Sequence, residues 1–208
     1  MMIGAYIGWG LLAYLLGAIP CGYLIARMHG IDIRTVGSGN IGATNVFRSV
    51  GKSLGVLTFV CDALKGFISA WFFPWLSCHV FAGPAGPALA VSCACLAVVG
   101  HNWPVYLHFK GGKGIATSLG ALVGMAPIAA GLGLVCWSVI FVTTRYVSVA
   151  SIATASLVGV ASWPLYFHTG FLIPVVFSLL CALAIWRHKT NIRRLIKGTE
   201  NRFQFKKP

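Results

Sequence analysis

A chain of 208 residues that is 58% hydrophobic and 9% charged, with a mean hydropathy of +0.84, is too apolar for a soluble domain and reads as an integral membrane protein. Its net charge of +13 would suit a nucleic-acid binder, but nearly all Lys and Arg residues sit between apolar runs, where the positive-inside rule puts them, so no nucleic acid is expected. The seven cysteines lie mostly inside apolar runs, with no Cys-x-x-Cys pair and no His at ligand spacing; they read as small apolar filler, and no metal is expected.

Ile3 to Ala26 is long enough to cross a bilayer, which takes roughly 20 residues. Nothing basic precedes it, so a cleaved signal peptide is not expected. Arg27, Arg34, Arg48 and Lys52 follow it within one loop, which orients the N-terminus outside and the loop in the cytoplasm. That loop contains Val-Gly-Ser-Gly-Asn-Ile-Gly-Ala-Thr-Asn-Val-Phe-Arg at 36 to 48. Gly37, Ser38, Gly39, Asn40, Gly42, Thr44 and Asn45 offer small side chains, backbone N–H groups and short polar donors, and Arg48 adds a planar positive fork suited to phosphate.

Leu54 to Leu76 crosses back, with Asp62 and Lys65 inside it, to a Pro- and Gly-marked segment, Pro74 to Pro87, that holds no Lys or Arg and fits the outer face. Three residues apart on one helix, Asp62 and Lys65 can partly neutralise each other, as a structural pair or with one of them bonded to a cytoplasmic loop. Ala88 to Gly100 returns to a second polar block at 100 to 117, in which Lys110 and Lys113 flank Gly111 and Gly112 and are followed by Gly114 and Thr117. The apolar stretch from Thr117 to Thr143 is too long for one span and short for two; the predicted solution is two short helices turning near Met125-Ala126-Pro127, with a re-entrant hairpin as the alternative. Arg145-Tyr146-Val147-Ser148 is then an inner loop, Ala150 to Phe167 goes out to a turn at His168 and Gly170, and Phe171 to Trp186 comes back.

The tail from Arg187 to Pro208 is strongly basic, and the spacing of Ile192, Leu195 and Ile196 predicts a short interfacial helix. The expected fold is therefore an all-α integral membrane protein in one polytopic domain over 1–208. Its seven transmembrane helices lie near 3–26, 54–76, 88–100, 115–127, 128–143, 150–167 and 171–186, the fourth and fifth short, with the C-terminus cytoplasmic.

Gly37-x-Gly39-x-x-Gly42 matches a dinucleotide fingerprint in form, but that motif needs a βαβ unit and here leads into a membrane helix. The second block is not a P-loop, because Gly114 follows Gly112-Lys113 and Leu107 stands where the leading Gly belongs. What remains is two glycine loops that can wrap phosphate oxygens. They share one membrane face with Arg145, Ser148, His188 and Asn191, which predicts a composite site for more than one anionic group. Only Asp32, Asp62 and Glu200 are acidic, and no Gly-x-Ser-x-Gly elbow or His-x-x-x-x-Asp motif is present, so paired-carboxylate hydrolysis and a Ser-His-Asp relay are not expected. An enzyme built from this inventory would act by positioning and by cationic and backbone stabilisation of an activated substrate. A small-anion membrane transporter is the alternative; the absence of internal symmetry and the one-sided polar groups weigh against it.

Those two loop sequences, Arg-Tyr-Val-Ser, Asp62-Ala-Leu-Lys65-Gly66 and the tail pattern Arg-His-x-x-Asn-Ile-x-Arg-Leu-x-x-Gly-x-Glu resemble the motifs of the bacterial acyl-phosphate:glycerol-3-phosphate acyltransferase family over the whole chain. The resemblance implies transfer of a fatty acyl group from acyl phosphate to the 1-hydroxyl of glycerol 3-phosphate, giving lysophosphatidate and phosphate in phospholipid biosynthesis at the bacterial cytoplasmic membrane. It implies no cofactor and a chain functional as a monomer in membrane lipid. Ser38, Thr44, Arg48 and the loop glycines would bind phosphate, Lys110 and Lys113 would neutralise the donor phosphate, and His188 and Asn191 would orient glycerol phosphate or polarise the acyl carbonyl. The hydroxyl proton would go to the donor phosphate or to His188.

Overall fold

The computed structural model describes residues 2–203, which contain helices and no strand. The end of the basic tail, with Lys206 and Lys207, lies outside the described residues. The chain packs as two compact units that divide between Ala126 and Pro127. Five helical stretches are long and apolar enough to cross a membrane: Ile3–Met28, Lys52–His79, Pro87–Leu107, Pro127–Thr144 and Val147–Thr169. Leu172–Arg187 makes a sixth if it is counted with Lys189–Ile196, from which it is bent by 53°. Ile115–Met125 is apolar but has 11 residues, and at 1.5 Å per residue it extends about half the roughly 30 Å of a hydrocarbon core.

In the first unit the leading stretch is two helices, α1 (Met2–Ala18) and α2 (Cys21–Met28). Pro20 separates them because it has no N–H and disfavours helical geometry at the residue before it. The short α3 (Ala43–Ser49) follows the first glycine loop, and α4 (Lys52–Phe67) then widens into a π-helical turn at Ile68–Phe72 before α5 (Phe73–His79). The widened turn lies immediately before Pro74, whose missing N–H could not have continued a regular ladder. Next come α6 (Pro87–Asn102) and α7 (Ile115–Met125). Helices α4 and α7 meet at Gly66 and Gly120, where a Cβ would collide with the Thr117 and Ala63 carbonyls, so backbone packs on backbone as in other small-residue membrane contacts. Ala13 of α1 and Leu89 and Cys93 of α6 form a core closed by Trp9 and Phe73.

The second unit is α8 (Pro127–Thr144), α9 (Val147–Tyr166), α10 (Leu172–Arg187) and α11 (Lys189–Ile196). The break at Ala126-Pro127 lies inside the predicted turn, but α8 has 18 residues and is full span length, so only α7 is short. Trp137 Nε1 donates to Ser151 Oγ at 3.2 Å and ties α8 to α9, and Trp163 Nε1 donates to Ser178 Oγ at 3.1 Å and ties α9 to α10. Large apolar side chains face outward on these helices, with Val135 64% and Val160 72% exposed, as expected of surfaces meant for lipid.

Candidate active site

The first glycine loop is folded around one amide. Asn45, 4% exposed at the start of α3, accepts the Ser38 N–H on Oδ1 at 2.9 Å. Its Nδ2 donates to the Ile33, Val36 and Asn40 carbonyls at 3.1, 3.0 and 2.9 Å. Asn40 Oδ1 takes the Gly42 N–H at 2.8 Å. Two residues expected to hold substrate thus also shape the loop, because buried backbone groups in an irregular segment need partners. Gly37 and Gly39 are left-handed, at φ +59° and +69°, and a Cβ on Gly37 would collide with Asn45 Oδ1. Gly37, Ser38, Gly39 and Arg48 are exposed, and Thr44 is half-buried.

The second loop folds back over the end of α6. Gly112 N–H donates to the His101 carbonyl at 3.1 Å. A Cβ on Gly111 would strike the same carbonyl, and one on Gly112 would strike His101 Nε2, so a side chain at the first would displace the end of α6 and one at the second the His101 ring. His108 and Phe109 are both left-handed, at φ 51° and 62°, which turns the chain sharply before Lys110. Gly114, at φ 79°, opens α7 with no side-chain cap, so the N–H groups of its first turn lack intrahelical acceptors, the arrangement that favours an anion. Lys110 is exposed and Lys113 half-buried. Thr117 is fully buried in the α4–α7 contact.

The two loops share a foundation. Leu107 of the second packs into a buried cluster with Ala26, Ile33, Ile41 and Val46, which underlies the first. The structure thus brings Ser38 to Arg48 and Lys110 to Gly114 over one apolar core.

In the second unit the organising group is Glu200. Its Oε1 accepts from Ser148 Oγ at 2.8 Å and from Asn191 Nδ2 at 2.7 Å, and its Oε2 accepts from Arg194 Nε at 2.8 Å. Burial pushes this carboxyl up, but the hydrogen bonds from Arg194, Asn191 and Ser148 outweigh it and hold it below the ordinary glutamate range. The Phe203 N–H donates to the carbonyl of Arg145, a residue held left-handed at φ 61°, and Phe203 packs edge-on against Phe141 at 5.3 Å, so the tail is folded onto the α8–α9 turn. His188, 3% exposed at the α10–α11 bend, has Nδ1 2.8 Å from the Ala184 carbonyl. A carbonyl only accepts, so Nδ1 carries a proton.

A sequence profile described as glycerol-3-phosphate acyltransferase matches residues 7–198. The chain belongs to this family. A glycerol-3-phosphate acyltransferase of Methylobacillus flagellatus is 45% identical over 192 residues, covering 92% of this chain and 93% of that one. One of Aquifex aeolicus is 42% identical over 193 residues, covering 92% and 95%. The solved structure described as PlsY (YgiH), an integral membrane glycerol 3-phosphate acyltransferase in its glycerol 3-phosphate form, superposes with a TM-score of 0.83 at 39% identity over 96% of both chains. Its lysophosphatidic acid form superposes with a TM-score of 0.80.

An acyltransferase with these two loops is an enzyme, and the transporter alternative falls away. Two features of the acyltransferase were not assigned from sequence. Glu200 closes the tail pattern, but the pattern gives it no partner, although it is one of three acids in a chain of net charge +13, where any carboxylate is worth tracing. The approach of His101 Nδ1 to Asp62 Oδ1, 3.5 Å, joins residues 39 positions apart and has no local signature.

Proposed function

We propose that this acyltransferase moves a fatty acyl group from acyl phosphate to the 1-hydroxyl of glycerol 3-phosphate, releasing lysophosphatidate and phosphate. The observation that carries this reading is the pair of glycine loops on one core, each offering backbone N–H groups beside cations, because donor and acceptor each bring a phosphate. Ser38, Thr44, Arg48 and the exposed glycine N–H groups bind phosphate in the first loop. Lys110, Lys113 and the first turn of α7 bind it in the second, where Lys113 also stabilises the charge that grows on the departing phosphate.

Acyl phosphate is a mixed anhydride, so the hydroxyl can attack its carbonyl directly. The new ester C–O bond forms, the bond from the carbonyl carbon to the bridging oxygen breaks, and that oxygen leaves with phosphate. The hydroxyl proton passes to the donor phosphate, with His188 Nε2 as the competing acceptor. His188 and Asn191 orient glycerol phosphate or polarise the acyl carbonyl, and Arg145 and Ser148 contribute at the α8–α9 turn, where Glu200 already fixes Ser148 and Asn191.

The chain acts as a monomer in the bacterial cytoplasmic membrane, with seven spans, the N-terminus outside and both glycine loops on the cytoplasmic face, the arrangement that leaves only Lys65 among the Lys and Arg residues away from the cytoplasm. The test is to supply purified protein with palmitoyl phosphate and glycerol 3-phosphate, and separately with palmitoyl-CoA. Lysophosphatidate and phosphate should form in equal amounts from the first mixture only. Product from palmitoyl-CoA alone would sink the acyl-phosphate reading.

A further inference from the structure

Asp62, Lys65 and His101 are 2%, 3% and 5% exposed, and acyl transfer as derived above uses none of them. Lys65 Nζ lies 2.9 Å from Asp62 Oδ1 and also donates to the Ile19 carbonyl at 2.9 Å. His101 Nδ1 approaches the same Oδ1 at 3.5 Å. Lys65 alone would neutralise Asp62, and apolar residues would fill the space at lower desolvation cost, so packing does not account for three titratable groups inside one helical unit.

What the cluster touches does account for them. The Ile19 carbonyl, which also accepts the Cys21 N–H at 3.0 Å, sits at the break before Pro20, and α2 carries the chain from that break into the first glycine loop. His101 is the next-to-last residue of α6, and it meets the second loop twice, through its carbonyl on the Gly112 N–H and through its ring against the Gly112 α-carbon. One ring edge therefore points Nδ1 at Asp62 while the other sets Nε2 under the loop. A displacement of Asp62 is passed by this ring directly to Gly112, one residue from Lys113.

We propose that Asp62, Lys65 and His101 are positioning residues that fix the second glycine loop, and through the Ile19 carbonyl the run-up to the first, in the shape that receives a substrate phosphate. The proposal rests on the reading of the loops as phosphate sites. Its mechanism is geometric: the Asp62 carboxylate, 3.5 Å from Nδ1, and the Gly112 backbone confine the ring from its two edges, and the loop N–H groups stay aligned before substrate arrives. Selective weakening of one phosphate-bearing substrate follows, because only the second loop is held by the ring.

The test uses the full chain, purified and reconstituted, with KM measured separately for palmitoyl phosphate and glycerol 3-phosphate. His101→Leu removes the linking ring, His101→Gln restores a polar group of similar reach, and the double variant Asp62→Asn with Lys65→Met discharges the pair without leaving one charge buried alone. His101→Leu should raise KM for one substrate by about tenfold or more while kcat and the other KM stay within about threefold, His101→Gln should recover most of the loss, and the double variant, which also removes the donor to the Ile19 carbonyl, should raise both KM values with kcat within about threefold. Unchanged constants, or parallel loss in both KM values and kcat with lowered thermal stability, overturn the proposal, as does failure of both His101→Leu and the double variant to fold. Wild-type protein that turns over neither mixture overturns the phosphate reading instead, so the two failures are distinct.

Discussion

Each unit is organised by a carboxylate, and the two are used differently. Asp62 sits within a long apolar helix, where water cannot share its charge, and Lys65 and His101 are buried with it. Glu200 lies past the last helix, its side chain 6% exposed, and collects three hydrogen-bond donors from the first turn of α9 and from α11. A buried charge has to bring its neutralising partners into the apolar interior, whereas one at the edge can recruit whatever donors the chain ends supply. Both hold loops or turns that carry expected substrate ligands. The first should act on shape through rigid contacts, and the second through bonds that pH can undo.

The comparison breaks first at Gly112. Gly112→Ala forces a side chain into the His101 ring, and misaligning the loop by even about 1 Å should lower turnover by about a hundredfold or more, read as initial rate on inserted protein. Near-normal rates would mean that the loop is free to re-form elsewhere. Lys113→Ala keeps that geometry and removes one cation, with an expected loss of about a hundredfold in kcat and little change in thermal stability.

At the second carboxylate, Glu200→Gln retains an acceptor for Ser148 or Asn191 but faces Arg194 with an amide, and about tenfold lower kcat/KM is expected. Its pH dependence has a definite sign. The folded carboxyl lies below the ordinary value of 4.5, so the tail contact is complete above that value and is lost as pH falls through the lower folded value. Proteolytic nicking between residues 198 and 203 should accordingly rise below pH 4.5 in wild type and be high at neutral pH in the variant.

Asp32 supplies the smallest effect. Its carboxyl is half-buried and held at about 2, against an ordinary 3.8, by hydrogen bonds from Arg34, so this contact is lost only as pH falls from 3.8 toward 2. Asp32→Asn should leave activity within about twofold in an assay at neutral pH, because an exposed pair is worth little.

Much of this was legible in the sequence, for reasons that differ by region. The helical runs were readable because a bilayer demands about 20 apolar residues and admits few charges, which fixes spans by length alone. Pro127 marked the α7–α8 break because a proline at the first position of a helix lacks only an N–H that would have no partner there, so it opens α8 where α7 stops. Pro20 and Pro74 obeyed the same rule inside runs that length alone read as continuous, and the chain answers them with a break and a π-helical turn. In the loops, glycines and cations announced phosphate, but residue type did not separate the groups that meet a ligand from those that hold the loop. Asn45 and Asn40 have the chemistry of ligands and also act as struts, because the irregular backbone of the loop needs internal acceptors and donors. Glu200 and the Asp62–His101 approach depend on contacts across 52 and 39 positions, which local spacing does not encode.

The central claim is direct attack on an acyl carbonyl with phosphate as the leaving group. It is tested by running the reaction with palmitoyl phosphate carrying heavy oxygen in the bridging position and following the label in both products by mass spectrometry. The account predicts all of the label in released phosphate and none in lysophosphatidate. Label retained in lysophosphatidate, or a phosphorylated glycerol 3-phosphate in place of an acylated one, would contradict it.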